Sequence, residues 1–199
     1  MARRTRAEMM DDTRRKLIAS ARAAFAEKGF ADTSMDDLTA AVGLTRGALY
    51  HNFGDKKGLF AAVVEQIDAE MASRARALAE AEDTVWSALL AEGCAYIEMA
   101  LDPEVQRIVL RDGPAVLGDP ARWPSQNRCL DATRAAVAEL RAAGVLKPVD
   151  LEAASRLLNG AALNAALWVA TCDDPETMLP KAQEAFRMLA EGLLVEHMP

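Results

Sequence analysis

Few residues in this chain have a type and spacing suited to covalent or metal chemistry. The three cysteines, Cys94, Cys129 and Cys172, lie far apart and form no CxxC pair. That argues against a disulfide framework or a zinc knuckle, and leaves three small apolar groups. A redox-sensing role would need one of them exposed, with a lowered pKa. The two histidines, His51 and His197, sit at opposite ends of the sequence, so no metal site is expected. No P-loop, no GxGxxG behind a strand, no GxSxG and no HExxH is present. The carboxylates are numerous but fall on polar helix faces, where water solvates them. Neither an enzymatic activity nor a bound cofactor is expected.

What the sequence does organise is a surface. Residues 34–53 read as a short helix, a glycine turn and a second short helix. Ser34 or Thr33 caps the first, with Asp36 or Asp37 in capping-box position, and Met35, Leu38 and Val42 form its inner face. Gly43 supplies the tight turn. Thr45 caps the second helix, which places Ala48, Leu49 and Phe53 on or near its buried side, and Gly54-Asp55 ends it. The first helix braces the second, whose outer face can project into a DNA major groove about 12 Å wide. Charge is distributed accordingly: the whole chain has a formal net charge of -7, but residues 1–57 carry +3 and the remainder -10. A polyanion is attracted to the first segment and repelled by the second.

The elements around this motif are helical. Of the 199 residues, 51% are apolar, alanine and leucine dominate, and β-branched and aromatic residues are few. No internal repeat and no strand-like alternation stands out. An N-terminal arm with Arg3, Arg4 and Arg6 precedes a helix from about Asp11, whose stripe is Leu17, Ile18, Ala21, Ala24 and Phe25; Gly29 is its C-cap. The arm either reaches a flanking minor groove or is a solvated tail. Asp55 caps a fourth helix reaching the late seventies, and further helices are expected near 83–101, 103–111, 120–143, 150–171 and 175–195. Breaks are expected at Asp112-Gly113-Pro114 and Gly118-Asp119-Pro120. No apolar run is long enough to span a membrane, and no apolar segment follows the N-terminal arginines as in a signal peptide. A cytoplasmic protein without membrane attachment is expected.

The run TAAVGLTRGALYHNFGDKKGLF, Thr39 to Phe60, resembles the signature of the TetR family of transcriptional regulators. The resemblance rests on Gly43, Thr45, Gly47, Leu49, Tyr50, Phe53, Lys56 and Leu59, with departures at Thr39 and Val42, where the family usually has alanine. It implies an all-α fold: an N-terminal three-helix DNA-binding domain with a helix-turn-helix (residues 1–60), followed by a larger helical ligand-binding and dimerisation bundle (61–199). It also implies that Thr45, Arg46 and Gly47 face the groove. Arg46 is the candidate base reader, its fork matching guanine O6 and N7, with a phosphate contact as the alternative. Tyr50 and His51 resemble the family's phosphate and groove contacts, and for Tyr50 core packing is the alternative. Lys56 is expected to meet a phosphate, with Lys57 in support or simply solvated. Thr33 and Ser34 either donate to phosphate or only cap their helix.

In the second domain the last two helices carry apolar stripes: Leu151, Ala154, Leu157, Leu158, Ala161, Ala165 and Trp168 on one, and Met178, Ala182, Phe186, Leu189 and Leu193 on the other. Two such helices from each of two subunits make a four-helix dimer interface; the alternative is an intrachain core. A ligand cavity is expected among Trp86, Tyr96, Met99, Arg107, Trp123, Asn164 and Trp168, with the residues from Asp112 to Pro124 as its mouth, a hinge or a connector. The functional expectation is a homodimeric repressor on palindromic double-stranded operator DNA, released by a small-molecule effector. A DNA-binding activator, or a regulator without an effector, is the alternative.

Overall fold

The computed structural model describes residues 5–195. Among the described residues, nine α-helices run in chain order: α1 (Arg6–Asp32), α2 (Met35–Ala40), α3 (Arg46–Phe53), α4 (Lys56–Ala79), α5 (Val85–Glu98), α6 (Gly113–Leu117), α7 (Pro124–Ala142), α8 (Leu151–Thr171) and α9 (Pro175–Glu191). Short 3-10 turns at Met99–Leu101 and Pro120–Arg122 and a widened π-type stretch at Val105–Asp112 connect them. The only extended pairing among the described residues is one antiparallel bridge between Leu146 and Leu194. The fold is the all-α arrangement expected, with a helix-turn-helix ahead of a helical bundle. No helix among the described residues is long and apolar enough to cross a membrane.

The chain forms two compact units: one contains the residues up to Ile67 together with Arg107–Gly118, the other Asp68–Gln106 and the residues from Asp119 onward. The expected boundary at residue 60 falls inside α4, which runs without a break from Lys56 to Ala79.

In the first unit α1 begins at Arg6, five residues before the start of its apolar period, because Thr5 and Glu8 form a reciprocal capping box. Arg3 and Arg4 lie outside the described residues. Leu17, Ala21 and Phe25, four residues apart, are fully buried. Phe25, Phe30 and Phe60 form a cluster with ring centroids 5.0–5.9 Å apart. Each aromatic pair contributes about 0.5–1.5 kcal/mol beyond the area it buries. At Gly29 (φ 80°) the path of α1 breaks. The Arg107 guanidinium fills the space beside this glycine: Arg107 Nη2 donates to the Lys28 carbonyl at 2.9 Å, and the neighbouring Asp112 Oδ2 accepts from the Phe30 amide at 2.7 Å.

Two helix boundaries differ from expectation. Asp112-Gly113-Pro114 is not a break, because Pro114 occupies the first turn of α6, where its missing N–H costs nothing. The helix expected over 120–143 is divided at Trp123, whose extended backbone separates a 3-10 turn from α7.

In the second unit α5, α7, α8 and α9 pack on one another around Leu89, Ile97, Val137, Leu158, Val169 and Phe186. Arg134 of α7 pairs with Glu152 of α8 at 2.5 Å, and Gln183 of α9 donates to the Cys94 carbonyl of α5 at 3.0 Å. Gly93 lets the Phe186 ring lie directly against α5, where a Cβ would come within 2.4 Å of it.

Candidate functional site

The expected nucleic-acid surface falls in the first unit and the expected ligand cavity in the second.

The helix-turn-helix is assembled by caps. Ser34 Oγ accepts from the Asp37 amide at 3.1 Å and starts α2; Thr45 Oγ1 accepts from the Ala48 amide at 3.3 Å and starts α3. Between them Gly43 takes φ 65°, a left-handed backbone that admits the tight turn. Thr39, which stands where alanine is expected, is buried, and its hydroxyl donates back to the Met35 and Asp36 carbonyls at 3.1 Å. Its polar group is therefore satisfied without disturbing the bracing helix. Downstream, Asp55 Oδ1 caps α4 through the Gly58 amide at 2.7 Å.

α3 buries Leu49 and exposes Arg46, Gly47, Tyr50 and His51, next to its exposed cap Thr45. The Tyr50 ring is 53% exposed, so it belongs to this face and not to the core. Arg46 is engaged in a two-pronged ion pair with Asp36 of α2, Nε to Oδ1 and Nη2 to Oδ2, although both side chains remain about 60% exposed. The Arg46 hydrogen bonds hold the Asp36 carboxyl below its usual range, and Asp36 raises Arg46 in turn. Lys56 reaches from the start of α4 to the Phe30 ring (4.4 Å to its centroid) and the Ala31 carbonyl (3.3 Å). Thr33 is turned inward: it is 3% exposed, and its hydroxyl donates to the Gly29 carbonyl at 2.7 Å. That hydroxyl stabilises the α1–α2 corner and is not presented to solvent. The Asp36–Arg46 pairing was not read from the sequence, where the ten-residue separation gives no periodic signal.

The second unit encloses a cavity of about 340 Å³ between the C-terminal half of α4 and helices α5, α7, α8 and α9. Its wall is mainly apolar, from Met71, Leu89, Leu158, Ala162 and Phe186. Polar groups interrupt it at Asp68, Glu92, Tyr96, Gln126, Cys129 and Asn159. Ser125 Oγ donates to Asp68 at 2.5 Å, and Thr133 Oγ1 donates to Asn159 at 2.7 Å. Burial pushes the Glu92 carboxyl, the Tyr96 phenol and the Cys129 thiol above their ordinary values.

Of the seven residues expected around a cavity, Tyr96 lines this one, while Trp86, Met99, Trp123, Asn164 and Trp168 do not. Met99 and Trp123 are buried elsewhere in the bundle, Asn164 is exposed, and Trp168 is 48% exposed on the outside of α8. Arg107 belongs to the first unit, where it holds the α1 kink. Large aromatic side chains fill cores well, so they are poor markers of the space left open. A better signal is Glu92, a lone carboxylate inside the apolar run from Val85 to Ile97. His197 lies outside the described residues.

Residues 86–193 match the family model described as Tetracyclin repressor-like, C-terminal domain, and residues 17–63 match that of bacterial regulatory proteins, tetR family. This chain belongs to the TetR family. A crystal structure of a TetR-family transcriptional regulator from Pectobacterium atrosepticum is 49% identical, superposes with a TM-score of 0.86, and the match covers 97% of this chain and 99% of that one. The Transposon Tn10 TetC protein of Escherichia coli is 28% identical over 158 residues, covering 77% of this chain and 78% of TetC. The HTH-type transcriptional repressor AcnR of Corynebacterium glutamicum is 39% identical over 61 residues, 31% of this chain and 32% of AcnR. The TetR helix-turn-helix in this chain is thus the α2–α3 pair, and the protein is a DNA-binding transcriptional regulator.

Proposed function

We propose that the chain is a homodimeric repressor that reads a palindromic operator with α3 and is released by a small molecule bound in the α4–α5–α7–α8–α9 cavity. The observation that carries this reading is the division of α3: Leu49 faces inward, and Arg46, Gly47, Tyr50 and His51 face out beside the Thr45 cap. Arg46 is assigned to a base edge, and Thr45, Tyr50, His51, Ser34 and Lys56 to groove and phosphate contacts. The unit that includes residues 1–60 is the DNA-binding part; the bundle within 61–199 carries effector binding and dimerisation.

Dimerisation is supported by the outer faces of α8 and α9. Leu157 (73%), Trp168 (48%), Met188 (64%) and Leu189 (68%) are exposed large apolar groups, while Leu158, Ala162, Ala182 and Phe186 of the same helices are buried in the chain's own core. Each stripe therefore has an inner row that serves the core and an outer row suited to a second copy. One short helix reads only a few base pairs; two held about 34 Å apart read both halves of a palindrome. A ligand that alters that separation costs contacts at both half-sites. The cavity volume and its mainly apolar wall with a few polar groups suit a small organic ligand.

Selection of random duplexes on the purified protein at fixed salt tests the reading. A two-fold symmetric consensus, bound by a dimer, is expected. Enrichment of an asymmetric site, or of none, contradicts it.

A further inference from the structure

We infer that the effector cavity takes a compact apolar monocation, a protonated amine on a hydrophobic body, with the Glu92 carboxylate as its counter-charge. This rests on the effector reading above and adds the chemical class.

The geometry begins on α5. Leu89, Glu92, Gly93 and Tyr96 recur at three- and four-residue intervals, so one face of the helix forms a wall of the cavity. Glu92 is the only acid on that face. Its carboxylate makes no hydrogen bond or ion pair with any described residue and is half-buried; the exposed Arg76 attracts it only through space, and burial outweighs that attraction. A desolvated carboxylate without a partner is costly, and a cation delivered by a ligand relieves that cost. One turn on, the Tyr96 hydroxyl accepts only a long contact from Gln126 at 3.4 Å, so its proton has no acceptor among the described residues.

The charges around the cavity are arranged with their signs separated by depth. Asp68 is 5% exposed and Glu92 half-buried, whereas the guanidinium-bearing Arg76 and Arg128 are exposed at the rim. The remaining wall, Met71, Leu158 and the Phe186 ring, suits a hydrocarbon body. An anion would meet the Glu92 carboxylate in a poorly solvated space; a neutral body would leave Glu92 with only the through-space attraction of Arg76.

Calorimetric titration of the full-length protein with three probes of one shape decides the matter: naphthylmethylamine, naphthylmethanol and naphthoate. The amine is expected to bind about tenfold tighter than the alcohol, the value of one charge-assisted hydrogen bond, and the naphthoate weakest. Glu92→Gln is expected to remove the amine's advantage over the alcohol, with an unchanged circular-dichroism melt reporting that the variant is folded. Equal binding of amine and alcohol, tightest binding of naphthoate, or an unchanged ranking in Glu92→Gln overturns the cationic class and leaves the effector reading standing. Failure of all three probes to bind overturns both.

Discussion

At the residue scale the instructive pair is Arg46 and Asp36. Arg46 presents a planar fork suited to a guanine edge, yet in the free protein that fork is satisfied by a carboxylate on the bracing helix. An exposed ion pair of this kind adds little to stability. Its effect is on binding: Asp36 must be exchanged for a base or phosphate acceptor, and its charge repels the DNA backbone. Asp36→Asn is therefore expected to strengthen binding to scrambled duplex more than to the operator, so that the ratio of the two affinities falls. Equal affinity of variant and wild type for scrambled duplex would show that Asp36 does not compete for Arg46. Lys56, the proposed phosphate contact, is anchored on Phe30. Lys56→Ala is expected to weaken all sequences alike and to reduce the slope of log affinity against log salt by about one. An unchanged slope in a salt titration would remove Lys56 from the phosphate contacts.

At the element scale the caps and glycine turns govern how far the sequence could be read. α2 and α3 were legible because Ser34, Gly43, Thr45 and Gly54 punctuate them, and because Leu49 is the sole buried residue between exposed neighbours on α3. The start of α1 was hidden: its first turn is polar and held by Thr5 and Glu8, so no apolar period marks it. Pro114 reads as a breaker from sequence but sits harmlessly in a first turn. The cavity was the least legible feature. Its mainly apolar wall is drawn from five helices, and no one-dimensional pattern brings Asp68, Glu92 and Asn159 together. The α3–α4 corner also carries a prediction. A Cβ on Gly58 would lie 2.0 Å from the Phe53 carbonyl oxygen, which no side-chain rotation relieves. Gly58→Ala is expected to cost about 1–3 kcal/mol, seen as a lowered Tm together with weaker DNA binding. An unchanged Tm would mean that this corner yields easily.

At the scale of the whole molecule the charge asymmetry and the apolar outer rows act together. The N-terminal segment is net positive and the remainder strongly acidic, so DNA is drawn to one part of each chain. The proposed dimer interface is formed by the outer rows of α8 and α9, which the sequence displayed only as stripes mixing core and surface positions. Leu157→Glu with Leu189→Glu introduces like charges where two copies would meet. A shift to monomer in light scattering is expected, with helical content retained and operator binding lost. A stable dimer would move the interface away from these rows.

The most direct measurement concerns α3 itself. Selection of random duplexes is run in parallel on the wild-type protein and on Arg46→Ala, at the same salt, and the bound pools are sequenced. The expected result is a symmetric consensus in both, with preference lost at one base position in each half-site in the variant and a cost of about 1–3 kcal/mol there. An identical consensus from the two proteins would contradict the reading of operator sequence by the Arg46 face of α3.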